Sequence, residues 1–380
     1  MAGPLSGFRV LEMVGLGPAP FCGMMLADMG AEVLRIARPG FGDDGSWRFD
    51  LLARGRETLR LDLRDPSAVE AVLAMVENAD ALIEGFRPGV MEKRGLGPDT
   101  CLARNPRLVY GRMTGWGQTG PLAHTAGHDL NYIALTGVLN AIGRAGERPA
   151  VPLNLIGDFG GGGMLLAVGV LAALLETSRS GKGQVVDAAM TDGAALLSTM
   201  MHGFRASGMW NDQRENNLLD GAAHFYDVYT CADNRYLAVA PIEPAFYREL
   251  MQRCGMPQEE FEPQMDRRQW PDFRRRLADL FATRTRDDWC ELLEGTDACV
   301  APVLDWAEAP LHPHNQARNT FIDSGGVTQP APAPRFSRTA SEQPAPPTAP
   351  GDLLADTLAE WGVPDTLVQQ LQTERTNHGH

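Results

Sequence analysis

The tightest constraint on the fold is a strand–helix–strand alternation that fills the first 114 residues. Residues 8–14 (Phe-Arg-Val-Leu-Glu-Met-Val) form an apolar β-type run, a helical stretch reaches Met29, Gly30 ends it, and residues 31–37 read as a second strand. Two strands joined by a helix make a βαβ crossover, and such strands pair in parallel. Asp65-Pro66 opens a further helix to about Glu77, with Asp as cap and Pro at the first helical position, where its missing N–H costs nothing. Strands follow at 81–84 and 108–113. The pattern predicts an α/β fold with a doubly wound, Rossmann-like sheet. Gly15-Leu16-Gly17-Pro18-Ala19-Pro20 sits where a dinucleotide fingerprint belongs and fails it. Pro20 replaces the third glycine and Pro18 removes an amide that a phosphate needs, so nicotinamide dinucleotide is rejected.

Beyond residue 114 the pattern changes. Residues 114–126 read as loop, a long helix runs from about Gly162 to near Ser178, a strand covers 184–187, and a helix covers about 192–206. Residues 207–224 lack periodicity. A hairpin at 225–230 and 236–240 flanks Ala-Asp-Asn-Arg, and helices follow at about 244–254, 271–282 and 287–294. A Pro-rich tail then suits extended chain lying on the body, with a last helix at 353–361. The expected division is a large α/β domain at 1–190, a linker helix and loop at 191–224, a small α+β domain at 225–310, and a crossover and C-terminal return at 311–380.

A net charge of −14 argues against nucleic acid and anionic membrane as partners. The six cysteines are scattered without a C-x-x-C pair, as in a cytoplasmic protein with reduced thiols. The N-terminus lacks the features of a secretory signal. The longest apolar run, 159–175, falls short of the roughly 20 residues of a membrane span and reads as a buried core helix. His312 and His314 flank Pro313 with no third ligand nearby, so no metal is expected; His202 and His224 have no identifiable partner. Basic residues gather early: residues 35–64 hold seven, including Arg35, Arg38, Arg54, Arg56, Arg60 and Arg64, against five acidic ones. The cluster could bind ligand phosphates or be a solvated surface.

The chemistry concentrates between 127 and 165. His128 and Asp158 lie thirty positions apart, each beside glycine and each at the apparent start of a helix. Asp158 in particular reads as an N-cap. Helix N-termini hold side chains on fixed backbone and present amides without intrahelical partners. Two proton-transfer groups and an amide cluster are the equipment for removing a proton next to a carbonyl.

Residues 5–12 (Leu-Ser-Gly-Phe-Arg-Val-Leu-Glu), Gly17-Pro18, residues 26–33, Glu84-Gly85-Phe86-Arg87-Pro88-Gly89, residues 115–121 (Gly-Trp-Gly-Gln-Thr-Gly-Pro), residues 183–187 and residues 331–337 together resemble the family III CoA-transferase (CaiB/BaiF) superfamily. Within it, residues 126–132 and 154–161 resemble the α-methylacyl-CoA racemase branch, whereas the transferase branch keeps the aspartate and generally lacks the histidine. The resemblance implies interlocked homodimers with the active site between the large domain of one subunit and the small domain of the other. It implies that the CoA of an acyl-CoA substrate contacts Arg38, Leu61, Asp62, Leu63, Arg64, Gly85, Phe86, Arg87 and the segment holding Gly127, Asp129 and Tyr132. Lys93 falls where racemases often carry a phosphate-binding arginine, with Arg94 beside it, and the choice between the two cations stays open.

The implied reaction is racemisation of 2-methylacyl-CoA through an enolate, with His128 and Asp158 on opposite faces and Glu243 of the partner subunit orienting the imidazole. No metal and no redox cofactor is required. The alternatives are CoA transfer with Asp158 as nucleophile, which has no use for a second proton acceptor, and a CoA-binding scaffold without turnover.

Overall fold

The first strand, β1 (Arg9–Met13), is buried from Val10 onward, as a central strand covered on both faces must be. The structure is a computed structural model and describes residues 3–352 and 355–378. β1 pairs in parallel with β2 (Glu32–Ala37) on one side and β4 (Ala81–Glu84) on the other, Leu11 lying opposite Leu34 and Leu82. β3 (Glu57–Arg60) extends the sheet beyond β2, and β5 (Val109–Thr114) and β6 (Gln184–Ala189) extend it beyond β4. A short strand, Gly351–Asp352, pairs with β3 at the edge. The order is therefore edge strand, β3, β2, β1, β4, β5, β6, all parallel. It reverses between β1 and β4, and in such sheets a crevice opens at the carboxyl ends of the strands on either side of the reversal.

Each face of the sheet has its own apolar core. One is covered by α2 (Pro66–Glu77) and by Leu358, Trp361, Val363, Val368 and Leu371 from the C-terminal tail. The other is covered by α1 (Pro18–Asp28) and the helix Leu165–Ser180. The tail is thus more than extended chain: it carries the helices Ala355–Glu360 and Asp365–His378. Leu353, the expected start of the last helix, lies outside the described residues. A buried latch secures the returning chain. The Arg54 guanidinium donates to both oxygens of Asp28 and to Gln329 Oε1 (3.0 Å) and the Pro330 carbonyl (2.6 Å).

The helix Leu165–Ser180 continues without a break from a π-helical segment, Leu155–Met164. Together they make 26 residues, long and apolar enough by length and composition to cross a membrane, which the shorter run read from sequence was not. Leu166, Ala167, Val170, Ala173 and Leu174 are nevertheless buried in the core beside β5 and β6. Val168 and Leu175 on the other side of the helix are exposed. The helix expected at 192–206 is two helices, Met190–Leu197 and Thr199–Ala206, broken at Ser198.

The chain divides into two compact units. One runs up to Thr136, through Leu153–Leu197, and from Ala317 onward; the other comprises Gly137–Pro152 and Ser198–Gln316. Residues 137–152, expected in the large domain, and 198–224, expected as linker, both fall in the second unit. Ion pairs explain the placement: Arg144 binds Glu215 (3.0 Å) and Asp227 (2.7 Å), and Arg214 donates to the Asn140 carbonyl. This unit has an antiparallel sheet of Asp227–Thr230, Tyr236–Val239 and Val300–Pro302 over an aromatic core including Phe225, Phe273, Phe281 and Trp289. His224 is not partnerless. It is buried in that core with Nε2 2.7 Å from the Tyr247 hydroxyl.

Candidate active site

The crevice predicted by the strand order is present. A cleft of about 720 Å³ is lined from the ends of β1 (Met13), β2 (Ile36, Ala37), the chain after β3 (Leu61, Asp62, Leu63, Arg64), the chain after β4 (Phe86) and the short helix Val90–Lys93 (Val90, Met91). Arg38, Arg64 and Arg94 line it as well, which gives it three cations. Of the neighbouring pair, Arg94 borders the cleft and its charge acts on Asp62; Lys93 is exposed and is not part of the lining. Arg64 grips Asp62 through two guanidinium nitrogens (Nε 2.9 Å, Nη2 2.5 Å), and this pairing holds the Asp62 carboxyl below the usual carboxylate range.

Most of the early basic cluster does something else. Arg35 (3.2 Å) and Arg56 are buried against Glu12 of β1, and Arg54 belongs to the tail latch. Arg60 is tied to the Phe41 carbonyl and Asp43. A buried cation without a partner is prohibitively costly, so these arginines are fixed structural counter-ions of the sheet. Of the arginines between 35 and 64, Arg38 and Arg64 face the cleft.

The wall holding Phe86 is braced from beneath. Glu84, at the end of β4, accepts the Phe86 N–H (2.7 Å) and Arg112 Nε (3.0 Å), and Arg112 also donates to Glu92 (2.8 Å). Gly85 stands against α1, where a Cβ would lie 3.2 Å from the Ala19 methyl.

His128 and Asp158 occupy a separate corner of the same unit. His128 is the N-cap of the helix Asp129–Ala134 and donates its N–H to Asn131 Oδ1 (3.1 Å). Asp158 is not an N-cap. It lies inside the π-helical segment, whose cap position is Asn154. A π-helical turn inside a helix re-aims side chains and recurs at functional sites. The glycines of this segment allow close packing: a Cβ on Gly161 would lie 2.6 Å from the Ala194 nitrogen.

The two loops are joined through Asp129. Its carboxylate is buried, and Oδ1 accepts the Asp158 N–H (2.7 Å). Asn154 Nδ2 donates to Asp158 Oδ2 (3.1 Å). Burial raises the Asp158 pKa above the usual carboxylate range; the Asn154 hydrogen bond opposes this, the Asp129 charge adds to it, and His128 opposes it. Tyr132 donates to the Gly127 carbonyl and packs edge-on against Trp116 at 4.7 Å between ring centroids. Arg87 is not among the cleft-lining residues, and its charge acts on Tyr132.

Cleft and corner meet at the loop between β1 and α1. Gly15 and Leu16 line the cleft, and a Cβ on Gly17 would lie 3.2 Å from Asp158 Oδ2. A long ligand with its anionic part in the cleft can thus reach Asp158 along one loop. Glu243 belongs to the second unit, where it is exposed at the N-cap of the helix Pro244–Arg253.

Comparison with known proteins identifies this architecture. The profile of CoA-transferase family III matches residues 5–352. The chain belongs to that family. It is 46% identical over 377 residues to the α-methylacyl-CoA racemase of Mus musculus, covering 98% of this chain and 97% of that protein. It is 45% identical over 338 residues to the α-methylacyl-CoA racemase of Homo sapiens, covering 88% and 87%. A crystal structure of a CaiB/BaiF family protein from Brucella suis has the same fold, with a TM-score of 0.80, 24% identity, and coverage of 95% of this chain and 100% of that one.

Three participants escaped sequence reasoning: Asn154, Gly17 and Trp116. Asn154 had a readable signal, since it stands one helical turn before Asp158 and such pairs share a face. Gly17 and Trp116 stand in motifs that carry the family resemblance, but their contacts with Asp158 and Tyr132 are distant in sequence and were not readable.

Proposed function

We infer that this family III member is an isomerase that interconverts (2R)- and (2S)-2-methylacyl-CoA by 1,1-proton transfer. The observation that carries the reading is the 46% identity to an α-methylacyl-CoA racemase across 98% of the chain. The placement of His128 within electrostatic reach of Asp158 supports it.

The thioester lies with its CoA phosphates among Arg38, Arg64 and Arg94 and its acyl end at the corner. A Cα proton beside a thioester is a weak acid, so charge must be stabilised as it develops on oxygen. The first amides of the helix Asp129–Ala134, those of Asp129 and Leu130, have no intrahelical acceptor and serve that oxygen. Asp158 takes the proton from one face, leaving a planar enolate. The His128 imidazolium returns a proton to the opposite face, and the reverse direction exchanges the roles. Asp158, raised in pKa by burial, is a stronger base than an exposed carboxylate. Glu243 of the partner subunit orients the imidazole. The chemistry runs on these side chains and needs no metal or redox group.

We also propose that the active species is a homodimer. Val168 (62% exposed) and Leu175 (56%) on the core helix, with Leu196 (61%) and Leu197 (60%), form apolar surface within one unit that a second copy would cover. Sedimentation that finds an active monomer at micromolar concentration overturns it.

The test of the reaction is deuterium incorporation at C2 of each pure 2-methylacyl-CoA enantiomer in D₂O, followed by NMR. Exchange accompanied by inversion is expected. CoA transfer, the alternative in a family that carries that name, predicts a covalent thioester on Asp158; mass spectrometry after incubation with acyl-CoA should find none.

A further inference from the structure

Asp129 was expected to touch CoA, but its side chain turns inward. It is 5% exposed, and Oδ1 accepts the backbone N–H of Asp158 at 2.7 Å. Oδ2 is buried, and among the described residues nothing donates a hydrogen bond to it. Room for this carboxylate is made by Gly157: a Cβ there would lie 2.5 Å from Asp129 Oδ1 and 2.9 Å from Cγ. Its polar neighbours on the helix do not satisfy that oxygen. Tyr132 donates its hydroxyl to the Gly127 carbonyl, and Asn131 Oδ1 accepts the His128 N–H.

A half-satisfied buried carboxylate is costly, by about 1–3 kcal/mol for a neutral group left unpaired and more for a charged one. Simple anchoring of a loop does not require that cost, because a neutral amide would accept the same N–H. The carboxylate's negative charge is the part that anchoring leaves unexplained.

We propose that Asp129 is a positioning residue for Asp158, fixing the amide of the base with one oxygen and setting a second buried, half-satisfied carboxylate beside it with the other. This rests on the two-base reading above. An anion beside a carboxylate disfavours its ionised form and so makes it a better proton acceptor. The groups acting on Asp158 are few. Asn154 and His128 favour its ionised form, and Asp129 alone among the named charges opposes it. α1 brings the Gly17 backbone to it; the acid of that helix, Asp28, is paired with Arg54, and its Cys22 is a buried thiol whose pKa burial pushes up. The helix Met190–Leu197 carries Asp192, which is exposed. Tyr132 faces the site as a neutral phenol, its pKa raised by burial and by Asp158 itself.

The substitution Asp129→Asn separates charge from anchor, since the amide oxygen still accepts the Asp158 N–H. The assay measures KM, kcat, and the pH dependence of C2 deuterium exchange with each enantiomer. Asp129→Asn should lower racemisation roughly tenfold with KM for acyl-CoA within about twofold. The acid limb of exchange on the Asp158 face should move to lower pH by about half a unit or more, because removal of the neighbouring anion lets Asp158 ionise more readily. Asp129→Ala removes the anchor as well and should lose activity further; if that variant fails to fold, Asp129→Asn alone decides. An unshifted acid limb with wild-type kcat in Asp129→Asn overturns the positioning role. Asp158→Asn run alongside keeps the two levels apart. If it leaves exchange with both enantiomers intact, the two-base reading itself falls. If it abolishes exchange on one face while Asp129→Asn behaves as wild type, the positioning role falls alone.

Discussion

The cleft and the His128–Asp158 corner share one loop and are built on opposite plans. The cleft takes its charge from arginines at strand ends. One is bound to an acid beside it in sequence, Arg64 to Asp62, and another, Arg38, donates among the described residues to the carbonyl of Pro39. Such side chains can swing from a local partner to a phosphate with little disturbance of the fold. The corner is set by backbone: a helix cap at His128, a π-helical turn at Asp158, and a buried carboxylate joining them through an amide. Binding a flexible anion tolerates adjustable cations. Proton transfer needs donor and acceptor held to a fraction of an ångström, which short side chains on packed backbone supply and long ones do not.

The contrast predicts separable losses. The largest belongs to the bases. Asp158→Asn and His128→Ala should each reduce racemisation in both directions by about 10²–10⁴-fold, while each retains deuterium exchange with a different enantiomer. Equal loss of exchange with both enantiomers in both variants would mean that the residues do not serve separate faces. The next effect tests the backbone. Gly157→Ala places a methyl where Asp129 stands and should cost roughly 1–3 kcal/mol of strain at the corner, read as about a 10-fold or greater fall in kcat with KM little changed. A rise in KM alone would show that the corner is not the rigid part.

A smaller effect belongs to the cleft. Arg38→Ala and Arg64→Ala should raise KM for acyl-CoA on the order of tenfold and leave kcat nearly unchanged, since phosphate contacts are alike in ground and transition states. Added salt should raise the wild-type KM in the same sense. The smallest is a matter of pH. Asp158 must be ionised to act as base, and burial raises its pKa, so exchange on its face should fade with falling pH earlier than an ordinary carboxylate would allow. The linked stability has the opposite sense. A carboxyl whose pKa is raised by folding stabilises the fold at low pH, and that contribution is lost as pH rises through its folded pKa. An acid limb at or below the usual carboxylate range would remove the special basicity assigned to Asp158.

Much of the large unit could be read directly. β1, β2, β4 and β5 are short apolar runs punctuated by Gly, Asn or Pro, and parallel strands buried on both faces must look that way. β3 was missed because Glu-Thr-Leu-Arg carries no such run; it is a strand because β2 offers it an edge. The division into units was less readable. Residues 137–152 join the second unit through Arg144, whose acids lie 71 and 83 positions away.

The early arginines show where local reading ends. Composition alone leaves Arg35, Arg54 and Arg56 indistinguishable from Arg38 and Arg64 as phosphate ligands. Burial separates them, because a cation inside the sheet must hold an acid such as Glu12 or Asp28 and cannot also serve a ligand.

Chain pattern and chemical type sufficed for the parallel sheet, the absence of a dinucleotide fingerprint and the family resemblance, and they point to His128 and Asp158 as the proposed reacting groups. Periodicity, turn residues and motif spacing are local properties and survive without coordinates. The π-helical setting of Asp158, the inward turn of Asp129, the selection of Arg94 over Lys93 at the cleft and the helical tail over the sheet came from three-dimensional packing. Each depends on which distant segments share a surface and which charges are buried, and those quantities exist only after the chain has closed on itself.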